Sequence, residues 1–240
     1  MTEWKAKRFW KESAVVETGA GWGITLDGRA VKTPSKLDLA VPTRPMAEAI
    51  ATEWDAQEDV IDPRIMPMTR FANSAIEKVK PQRSAVIEYL AEYGDTDLLC
   101  YRADSPEGLV TMQSDGWDPL LDWASEALGA RLLVAQGVMH VAQPANALEA
   151  LRSRVDAFDD FSLAGFHDLV GLSGSLVLAL AVTGGRVSVD AAWDLSRIDE
   201  AWQISQWGED EEAAIAAAAK RAAFGEAARF FQLAQNLSTA

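Results

Sequence analysis

The spacing of apolar residues changes once along this chain, and that change limits what it can fold into. Before residue 43 they recur with a period near two, and after it with a period near 3.6. Trp22-Gly23-Ile24-Thr25-Leu26 and Arg29-Ala30-Val31-Lys32-Thr33 flank Asp27-Gly28, a dipeptide that accepts the positive φ angles of a tight hairpin. A further β-prone run lies between Phe9 and Glu17, and Leu37, Leu39 and Val41 alternate with Asp38, Ala40 and Pro42. Thr43 then offers an N-cap, with Pro45 in the first turn of a helix. Ala47, Ile50, Ala51 and Trp54 fall at i, i+3, i+4 and i+7, so Trp54 is expected in the core. This order of periods predicts an α+β fold. A small β-rich N-terminal domain ending in a helix covers residues 1–62, and a larger, mainly helical domain covers 63–240, with the boundary at Asp62-Pro63.

Beyond the boundary the pattern predicts helices over 69–79, 81–93, 109–128, 145–158, 163–182, 189–207 and 210–235. Short β-like pieces at 98–102 and 132–141 interrupt them. The alanine run from Ala213 to Ala219 reads as helix whose small side chains allow close packing.

Charge narrows the partners. The formal net charge is −14, with 36 acidic against 22 basic residues. Such a surface repels phosphate backbones and anionic lipid, so no nucleic-acid partner is expected. The longest uncharged stretch, Leu169 to Gly185, is interrupted by Gly171, Ser173, Gly174 and Ser175, so no membrane insertion is expected either. The single cysteine, Cys100, sits in an apolar run and reads as a buried structural thiol in a reducing compartment. With no apolar leader at Met1–Phe9, the expected location is the bacterial cytoplasm or its equivalent, the mitochondrial matrix.

Signals for catalysis are weak. Gly19-Ala20-Gly21-Trp22-Gly23 lacks the third glycine spacing of a dinucleotide turn and links two strands. There is no G-x-x-x-x-G-K-[ST] phosphate loop, so no nucleotide is expected. His140 and His167 are the only histidines and have no metal-ligand spacing, so neither metal nor cofactor is expected. Carboxylates are abundant, which keeps open an alternative reading as a small-molecule enzyme with an unrecognised carboxylate acid–base site. Tryptophan is the residue in excess, nine in 240, and it is a preferred anchor of protein interfaces.

Several stretches, taken in order, carry a resemblance. They are Leu26-Asp27-Gly28-Arg29 with Thr33-Pro34; Glu53-Trp54-Asp55-Ala56-Gln57; Met66-Pro67-Met68-Thr69; Thr96-Asp97-Leu98-Leu99-Cys100-Tyr101-Arg102; Trp117-Asp118-Pro119-Leu120; Gly174-Ser175-Leu176; and Trp202-Gln203 with Trp207-Gly208-Glu209-Asp210. In this order they resemble the ATP synthase alpha-subunit assembly chaperones, the ATP-twelve type of mitochondria and alphaproteobacteria. Trp202 departs from the pattern, since relatives often carry another aromatic there. The resemblance implies a β-rich first part, a helical second part, no catalysis and no cofactor. It also implies a partner, the free alpha subunit, held until a beta subunit takes its place.

A continuous helix from Val189 to Trp207 would put Ala191, Leu195, Ile198 and Trp202 on a core face. Trp193, Ser196, Glu200, Gln203 and Trp207 would line the opposite face, two aromatics flanking a carboxylate and an amide. Trp193, Glu200, Gln203, Trp207 and Asp210 are therefore the expected partner-binding residues. The alternative for Glu200 is a structural bond, to a backbone amide or to Arg197. One prediction follows from the missing phosphate loop: calorimetric titration of the protein with ATP should register no binding in the micromolar range, and no ATP hydrolysis should accompany it.

Overall fold

The computed structural model describes residues 7–137 and 139–236. Four short strands come first: β1 (Ser13–Thr18), β2 (Gly21–Leu26), β3 (Arg29–Ala30) and β4 (Ala40–Val41). Helices α1 (Arg44–Asp55), α2 (Pro67–Ser74) and α3 (Arg83–Glu92) follow, then β5 (Tyr101–Arg102), α4 (Glu107–Ala127) and β6 (Ala135–Gln136). The remainder is helical: α5 (Ala145–Asp156), α6 (Asp160–Ser173), α7 (Leu176–Thr183), α8 (Val189–Leu195), α9 (Ile198–Trp207) and α10 (Glu211–Ala234). This is the α+β arrangement expected from the two periods.

The residues form two compact units. The first runs to Arg83 and adds Asp159–Gly165 and the chain from Arg229; the second comprises Ser84–Phe158 and Phe166–Ala228. The Asp62-Pro63 step lies inside the first unit, where the Asp62 carboxylate accepts the Arg64 N–H at 3.0 Å and caps a short turn.

In the first unit β2 is the central strand. It pairs antiparallel with β1 along its whole length, and with β3 and β4 on its other edge. Asp27 (φ 47°) and Gly28 (φ 80°) form the turn between β2 and β3, the left-handed pair that the hairpin requires. Ile24, Leu39 and Val41 are buried, as are Met46, Ala47, Ile50 and Ala51 of α1, which packs on β1 and β2. Thr43 caps α1 as expected, accepting the Met46 N–H at 3.3 Å. Trp54 is half-buried rather than enclosed; its ring meets Trp10 edge-on at 5.3 Å, and Trp10 is the one in the core.

Helix α2 has no capping side chain of its own at Met66. Glu53 of α1 serves instead. Its carboxylate accepts the Met68 N–H at 2.7 Å, the Thr69 N–H at 2.8 Å and the Thr69 hydroxyl at 2.7 Å. The free N–H groups of the first helical turn are thereby satisfied by an anion where the helix dipole favours one. Burial nevertheless pushes the Glu53 carboxyl above its ordinary value, with these hydrogen bonds opposing.

In the second unit the expected helix over 163–182 is two helices. Gly174 (φ 71°) ends α6, and Ser175 starts α7 by accepting the Leu178 N–H. The break places the first turn of α7 against Asp97, which has no exposed surface. Asp97 accepts the Leu99 N–H at 3.0 Å, the Ser175 hydroxyl at 2.7 Å and the Val177 N–H at 2.9 Å. Burial raises its pKa to about 6, and the hydrogen bonds pull the other way. Cys100 is buried as expected, and burial together with the nearby Asp97 charge pushes its thiol up to about 12, so it stays protonated.

Asp97 generates a stability prediction. Asp97→Ala leaves three buried donors without acceptors and should cost about 3 kcal/mol or more in urea unfolding. The pH dependence has a defined sign. Unfolded Asp titrates near 3.8 and the folded group near 6. Between those values the folded chain holds a proton that the unfolded chain has lost. Stability from this group therefore falls as pH rises from about 4 to about 6 and is level above. Urea midpoints across that range should show a downward component in the native protein that Asp97→Asn removes.

Candidate functional site

Helix α9 is seated on α4, and small residues set the closeness. A Cβ added at Gly108 would lie 2.5 Å from the Trp202 ring, and one at Gly116 would lie 2.8 Å from Ile198 and 2.9 Å from Leu195. Polar bonds fix the register. The Trp117 indole N–H donates to the Leu195 carbonyl at 2.8 Å. The Gln113 amide donates to the Asp199 carboxylate at 2.6 Å, and its oxygen accepts the Ala103 N–H at 2.8 Å. Ile198, Asp199 and Trp202 thus face α4.

Glu200, Gln203, Ile204 and Trp207 recur at i, i+3, i+4 and i+7 on the opposite side. Gln203 is exposed, Ile204 is 46% exposed and Trp207 is 79% exposed. Glu200 is half-buried and pairs with Arg197 at 2.8 Å, the bond anticipated as its structural role. Both side chains remain open to water, so the pair contributes little to stability.

The structure does not bring Trp193 to that side. The expected single helix over 189–207 is broken at Ser196-Arg197: α8 ends at Leu195 and α9 begins at Ile198. Arg197 leaves the helical conformation (φ −120°, ψ 21°), and the Ser196 hydroxyl donates to the Trp193 carbonyl at 2.7 Å. The interruption changes the rotational phase between the two segments. Trp193 is buried, its ring 5.8 Å from that of Phe224, with the Arg197 guanidinium over it at 5.7 Å. Asp210 caps its own helix, its carboxylate accepting the Ala213 N–H at 2.8 Å at the start of α10. It is also exposed, within the acidic run Glu209–Glu212.

Residues missed by sequence reasoning extend the surface. In the first half of α10, Ala213, Ile215, Ala216, Ala218 and Ala219 are exposed, Ile215 by 67%. The alanine run is therefore not packed closely as expected. Gly208 (φ 88°) turns the chain between α9 and α10, so Ile204 and Trp207 lie just before the turn and Ile215 just after it.

The model of the ATP12 chaperone protein family matches residues 7–125. The chain is similar over 97% of its length, and 100% of the other chain, to the crystal structure of Atp12 from Paracoccus denitrificans, at 51% identity and a TM-score of 0.94. The chain belongs to the ATP12 chaperone family. A second solved structure, from Agrobacterium tumefaciens, shares 40% identity with a TM-score of 0.90, over 95% of this chain and 85% of that one. Among sequences, the mitochondrial protein atp12 of Schizosaccharomyces pombe is 27% identical over 219 residues, 86% of this chain and 75% of that protein. This is the assembly-chaperone family of ATP synthase that the ordered stretches resemble. The family match at 7–125 takes in Gly108, Gln113, Gly116 and Trp117, the platform under α9, and stops short of α9 itself.

Because the outward side of α9 depends on that platform, Gly108→Ala is informative. Its Cβ must displace the Trp202 indole, and overpacking of this kind costs about 1–3 kcal/mol. The melting temperature should fall and Trp202 emission should shift to longer wavelength as the ring meets water.

Proposed function

We propose that this chaperone holds the free alpha subunit of the ATP synthase catalytic sector until the beta subunit replaces it, and that the outward side of α9 makes the contact. The observation that carries this reading is Trp207, 79% exposed at the end of a helix that the platform holds rigidly. A large aromatic left in water on a fixed element is costly for a chain with no partner and useful to one that has it. Gln203 and Glu200 lie one and two turns before Trp207 on the same side, and Asp210 follows it past the Gly208 turn, polar groups of the kind found at the rim of an interface. Trp193 acts from beneath, holding Arg197 and through it Glu200.

The chain acts by binding rather than catalysis. The matching family is described as a chaperone family. Glu53 and Asp97, whose carboxyls burial raises, are both committed to backbone donors. Neither borders the hollow beside Arg8 and Trp10 or the one beside α4. The setting is the bacterial cytoplasm or the mitochondrial matrix; no described helix is long and apolar enough to cross a membrane.

The test pairs stability with capture. Trp207→Ala and Glu200→Lys should each leave the melting temperature within about 2 °C of native, as surface substitutions do. Each should weaken pull-down of purified alpha subunit by about tenfold or more, as loss of an interface anchor does. Normal capture by both folded variants would move the contact elsewhere.

A further inference from the structure

The second unit carries an open strand edge that the α9 reading does not use. Strand β6 pairs parallel with β5, Tyr101 opposite Ala135 and Arg102 opposite Gln136, and the Gly137 N–H donates to the Arg102 carbonyl at 2.9 Å. In that register Ala135 and Gly137 turn their backbone groups toward β5. Leu133, two residues earlier, is bonded through both backbone groups to one side chain: its N–H donates to Gln143 Oε1 at 2.7 Å, and its carbonyl accepts from Gln143 Nε2 at 2.9 Å. Odd-numbered residues thus use one edge with the period of an extended chain. Val134 and Gln136, both exposed, turn to the other edge, and the Val134 backbone makes no hydrogen bond to a described residue, whereas Leu132 before them is buried.

That open edge borders a groove. It is about 480 Å³, and its lining includes Asp118, Asp122, Glu126 and Arg131 together with Leu132 and Val134. Helix α4 carries Glu107, Asp115, Asp118, Asp122 and Glu126 and no lysine or arginine. The last four fall at i, i+3, i+7 and i+11, a single exposed stripe. Asp118 is paired with Arg102 at 2.8 Å, which leaves Asp122 and Glu126 against Arg131, the single cation of the described lining, in a net negative groove. The segment is also apolar where proteins are usually guarded. Leu133, Val134, Met139 and Val141 are 46%, 50%, 76% and 39% exposed. An uncovered apolar strand edge is a hazard that most chains suppress, and here it is displayed.

We infer that this edge accepts an extended, cationic segment of the client polypeptide as an added strand, its backbone pairing with Val134 and Gln136 and its basic side chains lying over Asp122 and Glu126. Strand addition draws affinity from main-chain bonds and specificity from alternate side chains, so it suits a client segment awaiting its own partner. Charge decides against a second copy of this chain, because pairing two such edges would set two acidic α4 stripes together. The inference rests on the chaperone reading and adds a contact separate from α9.

The test uses the full-length protein and labelled octapeptides in fluorescence anisotropy. An alternating Val-Lys peptide should bind about tenfold more tightly than an alternating Val-Glu peptide, and about tenfold more tightly than a Val-Lys peptide N-methylated at every second residue. Val134→Pro, which deletes an N–H from the open edge, should weaken binding to a similar degree, and so should Asp122→Lys combined with Glu126→Lys. Trp207→Ala should bind the peptide normally, so failure of the α9 reading and failure of this one are separable. Should Val134→Pro not fold, the N-methylated pair decides alone. Absence of binding, or equal binding of the N-methylated and unmodified peptides, overturns the inference. So would a dimer in sedimentation equilibrium that Val134→Pro dissolves, since the edge would then serve a second copy.

Discussion

The second unit depends on one buried anion. Asp97 lies without exposed surface among apolar residues, an environment that ordinarily expels a charge. It is retained because its acceptors are matched by donors from two places at once: the Leu99 N–H of its own turn, and the Ser175 hydroxyl and Val177 N–H at the start of α7. A helix N-terminus is where unpaired N–H groups and a favourable dipole coincide, so a carboxylate can be buried there with its lone pairs satisfied. The consequence reaches further than one bond. Fixing the turn at Leu98–Cys100 fixes β5 immediately after it, and β5 is the strand that β6 pairs with. Arg102 on β5 then bonds the Leu99 carbonyl and reaches Asp118 on α4. An asparagine would supply fewer acceptors and would set an N–H donor against others.

The same geometry explains stretches whose meaning was hidden in the sequence. Thr96–Arg102 and Gly174–Leu176 carried the family resemblance but no recognisable chemistry, and they are the two halves of the Asp97 arrangement. Glu53–Gln57 and Met66–Thr69 are likewise two halves of one helix cap. A carboxylate that caps a helix 15 or 80 residues further along leaves no local signature. Features whose partners lie a few residues off were legible: the Asp27-Gly28 hairpin, the Thr43 cap, the alternation at Leu37–Val41 and the α1 face. Tryptophan shows the limit plainly. Composition flagged an excess, yet Trp10, Trp117 and Trp193 are buried while Trp207 stands in water.

The helix breaks divide in the same way. Ser173-Gly174-Ser175 contains a glycine able to adopt positive φ and a serine able to cap, so the division of 163–182 could have been read locally. Ser196-Arg197 contains neither glycine nor proline. That break is held by Ser196 bonding back to Trp193 and by Trp117 taking up the Leu195 carbonyl, which a continuing helix would have used. Assuming continuity, periodicity carried Trp193 onto the side of Glu200; two interrupted residues were enough to send it to the core. The error was one of phase, and it left the assignments of Glu200, Gln203 and Trp207 to a common side intact, because all three lie after the break.

An ATP12-family chaperone must solve a problem that ordinary folding does not pose, which is to leave apolar surface uncovered without binding to itself. Here apolar exposure and acidic side chains occur together. Trp207 and Ile215 bracket Glu209–Glu212, and the exposed Val134 lines one groove with Asp122 and Glu126 of α4. Charge acts between exposed groups over about 8–10 Å at physiological ionic strength, so carboxylates protect an apolar patch only when they lie beside it. A net charge of −14 spread evenly would keep the chain dispersed but would not discriminate between partners. Concentrated at the uncovered edges, it does both. Two copies meeting through these surfaces bring like charges together, whereas a client with basic residues near its own apolar surface brings opposite ones. The acidity is, in its placement, what makes the exposed tryptophan and the open strand edge compatible with a chain that stays available to its client.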